Sequence, residues 1–491
     1  LEDPTSLDVS VNDAFRPVSR FFDRINRPEQ LIPSLLNAMR VLTDPAETGA
    51  VTIAMPQDVQ AEVFDWPVEL FRKRVWHVRR PVPEPAALER AVALIKAAKR
   101  PLIIAGGGTI YAGASEELRA LATATGIPVG DTQAGKGAIN FDHPSAVGGV
   151  GSTGCDSGNH IADKADLIIG VGTRYSDFTT ASKTQFKNPD VKFVNINVTP
   201  FDAAKESAEM VVADAREALA ALTEALADYR VEAAYSEEIT AEKEAWLKAT
   251  ERCYHLDHGP LPAQTEVFGA LNELMGEEDV VINAAGSMPG DLQALWQARS
   301  PLQYHVEYAF SCMGYEVPAA MGVKLARPEA EVVSIVGDGT YQMLPMELAT
   351  VVQENIKVIY VLLQNYGFCS IGALSESRGS QRFGTKYRRR GEGSHLADEQ
   401  VIDGVDIAVN ARSWGLDVLE VHTIEEFKEA YRKAEASDRP TMIHIETDLY
   451  GPNPPGSSWW DVPVSGVSEL ESTQRAYEEY LRDRKPQRHY L

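Results

Sequence analysis

Apolar residues in this chain fall in short β-branched runs separated by helical stretches, the pattern of strands buried in parallel sheets. The clearest stretch runs from Glu331 to Gly367. Val332–Val336 predicts a strand covered on both faces, and Gly337-Asp338-Gly339 a tight turn. Tyr341–Asn355 has helical length and spacing, with Leu344, Leu348, Val351 and Val352 on one face and Pro345 early enough for a first turn. Val358–Leu363 predicts a second strand, ending in Gln364-Asn365-Tyr366-Gly367. Both polar turns therefore lie at carboxyl ends of strands, where open α/β sheets bind their ligands.

The same reading divides the whole chain. Residues 1–80 hold one amphipathic helix opening at Pro28, with Ile32, Leu35, Leu36, Met39 and Leu42, and one strand within Gly49–Pro56. That is too little for an independent parallel sheet, so the segment reads as the last third of an α/β domain. Trp76–Pro85 is a Pro-rich linker. A second α/β domain is expected over 86–225, with strands opening at Pro101, Asp166 and Lys192. Its turn Gly106–Gly108 lacks the full dinucleotide spacing, which favours an α/β spacer without a nucleotide. Residues 226–258 form a charged connecting helix. A third domain over 259–450 has strands at Asp279–Asn283, Val332–Val336, Val358–Leu363 and Thr441–Glu446. A tail, 451–491, carries Trp459 and Trp460, which are expected to pack on the main body, either covering a site or simply docked. The fold class is α/β: parallel sheets flanked by helices.

Charge narrows the function. The 491 residues carry a net charge of −24, which excludes nucleic acid and anionic membrane as partners, since both need basic surface. No apolar run approaches the roughly 20 residues of a membrane span. The N-terminal residues have neither the basic start nor the apolar core of a secretory signal. The four cysteines, Cys155, Cys253, Cys312 and Cys369, are scattered without C-x-x-C spacing, which suggests a reducing cytoplasm and no zinc site. Cys369 lies close in sequence to Gly367 and is either near a site or a packing residue.

The chemistry of the opening stretch is that of a cation and an anion held together. Asp338 offers a carboxylate, Asn365 an amide oxygen and Gly367 a backbone carbonyl. Such hard oxygen ligands, few in number, suit Mg²⁺ completed by phosphate and water. Gly337 and Gly339 permit close approach, and the helix starting near Thr340 presents free N–H groups to an anion. The Gly-Asp-Gly tripeptide alone favours a plain turn. The separation of 27 positions between Asp338 and Asn365, spanned by a helix and a strand, favours the Mg²⁺–diphosphate site. Ala284-Ala285-Gly286-Ser287, after another strand, is a second small-residue turn able to donate N–H groups.

Gly-Asp-Gly followed by an Asn at this distance resembles the binding motif of thiamine diphosphate-dependent enzymes. Thr132–Pro144, Gly170–Lys183, His305–Ala320 and Arg382–Arg390 resemble, more narrowly, the trihydroxycyclohexanedione hydrolases of myo-inositol breakdown, and the likeness covers nearly the whole chain. The resemblance implies a three-domain architecture whose first, pyrimidine-binding domain is entered partway. It places Gly286 and Ser287 on the diphosphate. It also makes Met313 the wedge that bends the cofactor, with the Ser311 carbonyl accepting from its aminopyrimidine. The implied cofactors are thiamine diphosphate and Mg²⁺. The implied reaction is hydrolytic opening of a cyclic 1,2-dione to 5-deoxyglucuronate, on sites shared between subunits of a homodimer or homotetramer. No position matches the family's activating glutamate, which is therefore expected upstream of Leu1; a protein beginning at Leu1 would be inactive. For proton transfer His143, His305 and His395 are equal candidates. Arg378, Arg382 and Lys386–Arg390 form a basic patch suited to a phosphate or the acid product, or to surface ion pairs. Two other readings stand beside this one: a carboligase of the acetolactate synthase type, with FAD in the middle domain, and a non-catalytic binding subunit.

Overall fold

The computed structural model describes residues 10–388 and 405–488. Its strands, in chain order, begin with β1 (Phe21–Arg24) and β2 (Val51–Ala54), paired in parallel across the helix Leu31–Leu42. β3 (Pro101–Ala105), β4 (Val129–Asp131), β5 (Ala146–Gly149), β6 (Leu167–Val171), β7 (Lys192–Asn197) and β8 (Glu209–Val212) form a middle sheet of order β5-β4-β3-β6-β7-β8. β9 (Val280–Asn283), β10 (Tyr304–Val306), β11 (Val332–Gly337), β12 (Ile359–Gln364), β13 (Asp417–Val421) and β14 (Thr441–Glu446) form a third sheet of order β10-β9-β11-β12-β14-β13. Every strand pairing in these sheets is parallel.

Burial on both faces explains the continuous apolar runs. In β12, Ile359, Val361 and Leu363 enter a core with Phe268, Trp296 and Tyr431, while Tyr360 and Leu362 enter the opposite core with Tyr341 and Leu348. Each such side chain contributes about 1.5–3 kcal/mol of apolar burial, so neither face tolerates a polar register slip. β11 and β12 are thus held side by side, and their carboxyl ends present the two polar turns together.

The structure alters several expectations. The helix expected over Tyr341–Asn355 is two helices, Asp338–Met343 and Glu347–Gln353, with Leu344 extended at φ −150°. Because helical structure already starts at Asp338, Pro345 falls too far in: it has no N–H to give and its ring would strike the carbonyl one turn back. Among the described residues the sheets also contain β1, β4, β5, β8, β10 and β13, which the apolar pattern did not single out. The charged connecting helix is Ala233–Tyr254. In the tail, Trp460 Nε1 donates to Asp177 and its ring lies 5.1 Å from that of Phe178, so this ring docks on the main body, whereas the Trp459 ring packs beside Tyr480 of the tail itself.

The glycines of the Gly106–Gly108 turn have a packing reason. A Cβ on Gly106 would stand 2.4 Å from the Gly172 carbonyl oxygen, so this turn and the one after β6 can touch only as glycines. They border a cavity of about 420 Å³ at the carboxyl ends of β3, β6 and β7.

Candidate active site

A separate cavity of about 230 Å³ opens at the carboxyl ends of β9, β11 and β12. Gly286, Ser287, Ser311, Met313, Gly337, Asp338, Gly339, Thr340, Asn365 and Gly367 all line it. Four separate segments of sequence are thus brought to one place.

Its centre is Asp338, which is only 1% exposed. Oδ1 accepts from the N–H of Gly339 at 2.7 Å. Oδ2 accepts from the N–H groups of Asn365 at 3.1 Å and Tyr366 at 2.6 Å. The carboxyl therefore joins the turn after β11 to the turn after β12. Burial pushes its pKa up to about 6, against the pull of these backbone donors. Among the described residues no cation pairs with it, and no group of three or more His, Cys, Asp or Glu could hold a metal. A buried carboxylate with an amide and carbonyls beside it, and too few protein ligands for a closed cage, fits Mg²⁺ completed by phosphate oxygens.

The backbone around the cavity is held in unusual conformations. Tyr366 has φ +60°, and in the turn before Met313, Ala309 has φ +150° and Ser311 φ +52°. Left-handed values at non-glycine residues cost about 1–3 kcal/mol each and persist only where the surroundings impose them. The N–H of Cys312 donates to Glu307 Oε2 at 2.6 Å, one such restraint. Met313 is half-buried against the cavity.

Side chains that sequence spacing did not reveal complete the wall. Gln264, Met288, Leu363, Phe368, Ser370 and Ile371 line the cavity, as does Cys369, whose thiol burial pushes up to about 12. Gln264 Nε2 donates to Ser287 Oγ at 3.1 Å and also reaches Asp291, whose buried carboxyl is pushed up to about 7. These contacts cross from the helix Gln264–Leu274 to the turn after β9, and no local pattern announces them.

The proton-transfer candidates do not gather here. His305 Nε2 lies 2.7 Å from Tyr315 Oη and lines a different groove, its pKa lowered by burial. His143 pairs with Thr123 at 2.9 Å beside the middle sheet. His395 lies outside the described residues, as do Arg389 and Arg390 of the basic patch. Arg382 of that patch is committed to Glu376, at 2.8 Å, and lies over the Tyr450 ring.

Two parallel six-stranded sheets, the later one carrying a diphosphate-type turn pair, accord with what the sequence comparisons return. Residues 88–222 match the family described as thiamine pyrophosphate enzyme, central domain. Residues 284–445 match that described as thiamine pyrophosphate enzyme, C-terminal TPP binding domain. The chain belongs to the thiamine pyrophosphate-dependent enzymes, and thiamine diphosphate is its cofactor. Within that family it is similar to proteins named 3D-(3,5/4)-trihydroxycyclohexane-1,2-dione hydrolase. That of Bacillus cereus (strain AH820) is 44% identical over 514 residues, covering 100% of this chain and 80% of the relative. Those of Bacillus anthracis (strain CDC 684 / NRRL 3495) and Bacillus thuringiensis (strain Al Hakam) are 43% and 44% identical, with the same coverage.

Proposed function

We propose that this protein is a thiamine diphosphate- and Mg²⁺-dependent C–C hydrolase that opens the ring of 3D-trihydroxycyclohexane-1,2-dione to 5-deoxyglucuronate in myo-inositol degradation. What supports the substrate is identity with the hydrolases along the whole chain. The single structural observation that carries the reading is the buried Asp338 carboxylate drawn onto the Asn365–Tyr366 turn without a cation of its own.

In this reading Asp338, the Asn365 amide oxygen and the Gly367 carbonyl would hold Mg²⁺ at the diphosphate end of the cavity. Gly337, Gly339, Thr340, Gly286 and Ser287 line the diphosphate end and keep it close to the backbone. Met313 and Ser311 would contact the cofactor beyond its diphosphate. Bound thiamine diphosphate supplies a nucleophilic carbon and an electron sink. The chain's own part is to orient, to desolvate and to fix charge.

The protein works as a homodimer or homotetramer in a reducing cytoplasm. Large apolar side chains exposed around the site, Phe310 at 87% and Ile371 at 60% among them, support a partner surface there. All four cysteines are free. Among the described residues no helix is long and apolar enough to cross a membrane.

Ring opening tests the proposal. The full-length protein, given thiamine diphosphate and Mg²⁺, is expected to convert the cyclic dione to the open-chain acid, followed by loss of the dione and gain of acid. Carbon dioxide released from pyruvate with the dione untouched would instead establish a carboligase.

A further inference from the structure

Glu316 opens the helix Glu316–Ala326 and is 0% exposed. Its carboxyl has no cation beside it among the described residues, and a carboxyl so placed is costly unless backbone donors need it. They do. Oε2 accepts from the N–H of Gly314 at 3.1 Å. The carboxyl also lies near the backbone of Ala285 without a hydrogen bond to it, and Oε1 is buried without a hydrogen-bond partner. One side chain thus stands between two turns that form opposite parts of the cofactor cavity: the turn of Ala285, Gly286 and Ser287, and the turn of Ser311 and Met313. The second of these is the strained one, with Ser311 at φ +52° and Gly314 at φ +93°. Glu307 restrains it from outside through Cys312, and Glu316 restrains it from below. Neither contact is part of the diphosphate motif.

We propose that Glu316 is a positioning residue, whose carboxyl holds the Met313 turn through the Gly314 N–H, beside the Ala285–Ser287 turn, and so sets where Met313 meets the cofactor. It touches neither cofactor nor substrate. The proposal rests on the reading of this cavity as the thiamine diphosphate site.

The test is calorimetric titration of thiamine diphosphate, at saturating Mg²⁺, into the parent protein and three variants, with thermal melting of each. Glu316→Ala is expected to weaken binding about 10-fold, through loss of the bond to Gly314 and a donor left unpaired. Glu316→Gln keeps the shape and one acceptor and is expected to recover affinity to within about threefold of the parent. Ser334→Ala removes a different bond to the same residue, from Ser334 Oγ to the Glu316 backbone carbonyl at 3.1 Å. It is expected to lower the melting temperature while leaving affinity nearly unchanged. Glu316→Ala binding as the parent does, or Ser334→Ala weakening binding as much as Glu316→Ala, overturns the positioning role. A parent that binds no thiamine diphosphate overturns the underlying site as well.

Discussion

Asp291 shows how the site's electrostatics reach beyond its lining. Its carboxyl is buried and held up to about 7, with Gln264 the one hydrogen-bonding side chain that draws it down. The ordinary carboxylate value is about 3.9, so the folded protein keeps this proton where the unfolded chain has lost it. The group's contribution is full below about pH 4 and is lost as pH rises through 7. Asp291→Asn, which cannot ionise, is therefore expected to melt above the parent at pH 8 and to converge with it toward pH 4. A gap that fails to narrow on acidification would show that Asp291 is ionised throughout. At this scale legibility divides by distance in sequence. Asp338 and Asn365 were readable because a helix and a strand fix their separation. Gln264, Asp291 and Glu316 act across elements, and nothing in their immediate neighbourhood marks them.

Elements with a continuous apolar run were legible. β3, β6, β7, β9, β11, β12 and β14 are buried in the sheets' interiors, and their sequences say so. β10 has three residues, and β13, at the sheet edge, is largely uncovered, so neither carries that signal. The break at Pro345 was missed because the helix start was placed at Tyr341 rather than Asp338. The short strap Thr385–Tyr387 is a further element that only the structure reveals. Phe368 N–H donates to Thr385 O at 2.7 Å, and Tyr387 N–H to Tyr366 O at 2.9 Å. This strap closes over the Asn365–Gly367 turn so tightly that a Cβ on Gly367 would stand 2.2 Å from the Thr385 carbonyl oxygen. Gly367→Ala must move the strap or the turn, at about 1–3 kcal/mol. Both a lower melting temperature and about tenfold weaker thiamine diphosphate binding are expected. Unchanged affinity in calorimetry would separate the strap from the site.

Across the whole molecule, the middle and third sheets are joined by buried polar ties. Lys136 Nζ reaches Asp131 Oδ2 at 3.3 Å and the Trp296 carbonyl at 3.5 Å. Gln133 donates to the Pro289 carbonyl at 2.7 Å, and Trp246 to the Ala294 carbonyl at 2.8 Å. The tail adds a further tie, as Ser472 and Thr473 both donate to the Gly379 carbonyl in the loop that follows the cavity helix Cys369–Ser377. These ties fix the helix and turn after β9, and so one wall of the cavity, against the middle sheet. The class of fold was legible from alternating strand and helix signals, whereas these ties were not, because they join residues as far apart in sequence as Gln133 and Pro289 or Lys136 and Trp296. The diphosphate end of the cavity depends on the junction of Asp338 with the Asn365 turn. The most direct measurement is titration of thiamine diphosphate into the parent and into Asp338→Ala, with Mg²⁺ present and then chelated. The expected result is tight, Mg²⁺-dependent binding by the parent. In the variant the loss should exceed the roughly 10- to 100-fold typical of an outer-shell partner. Binding by Asp338→Ala equal to the parent's, or binding indifferent to chelation, would contradict the account.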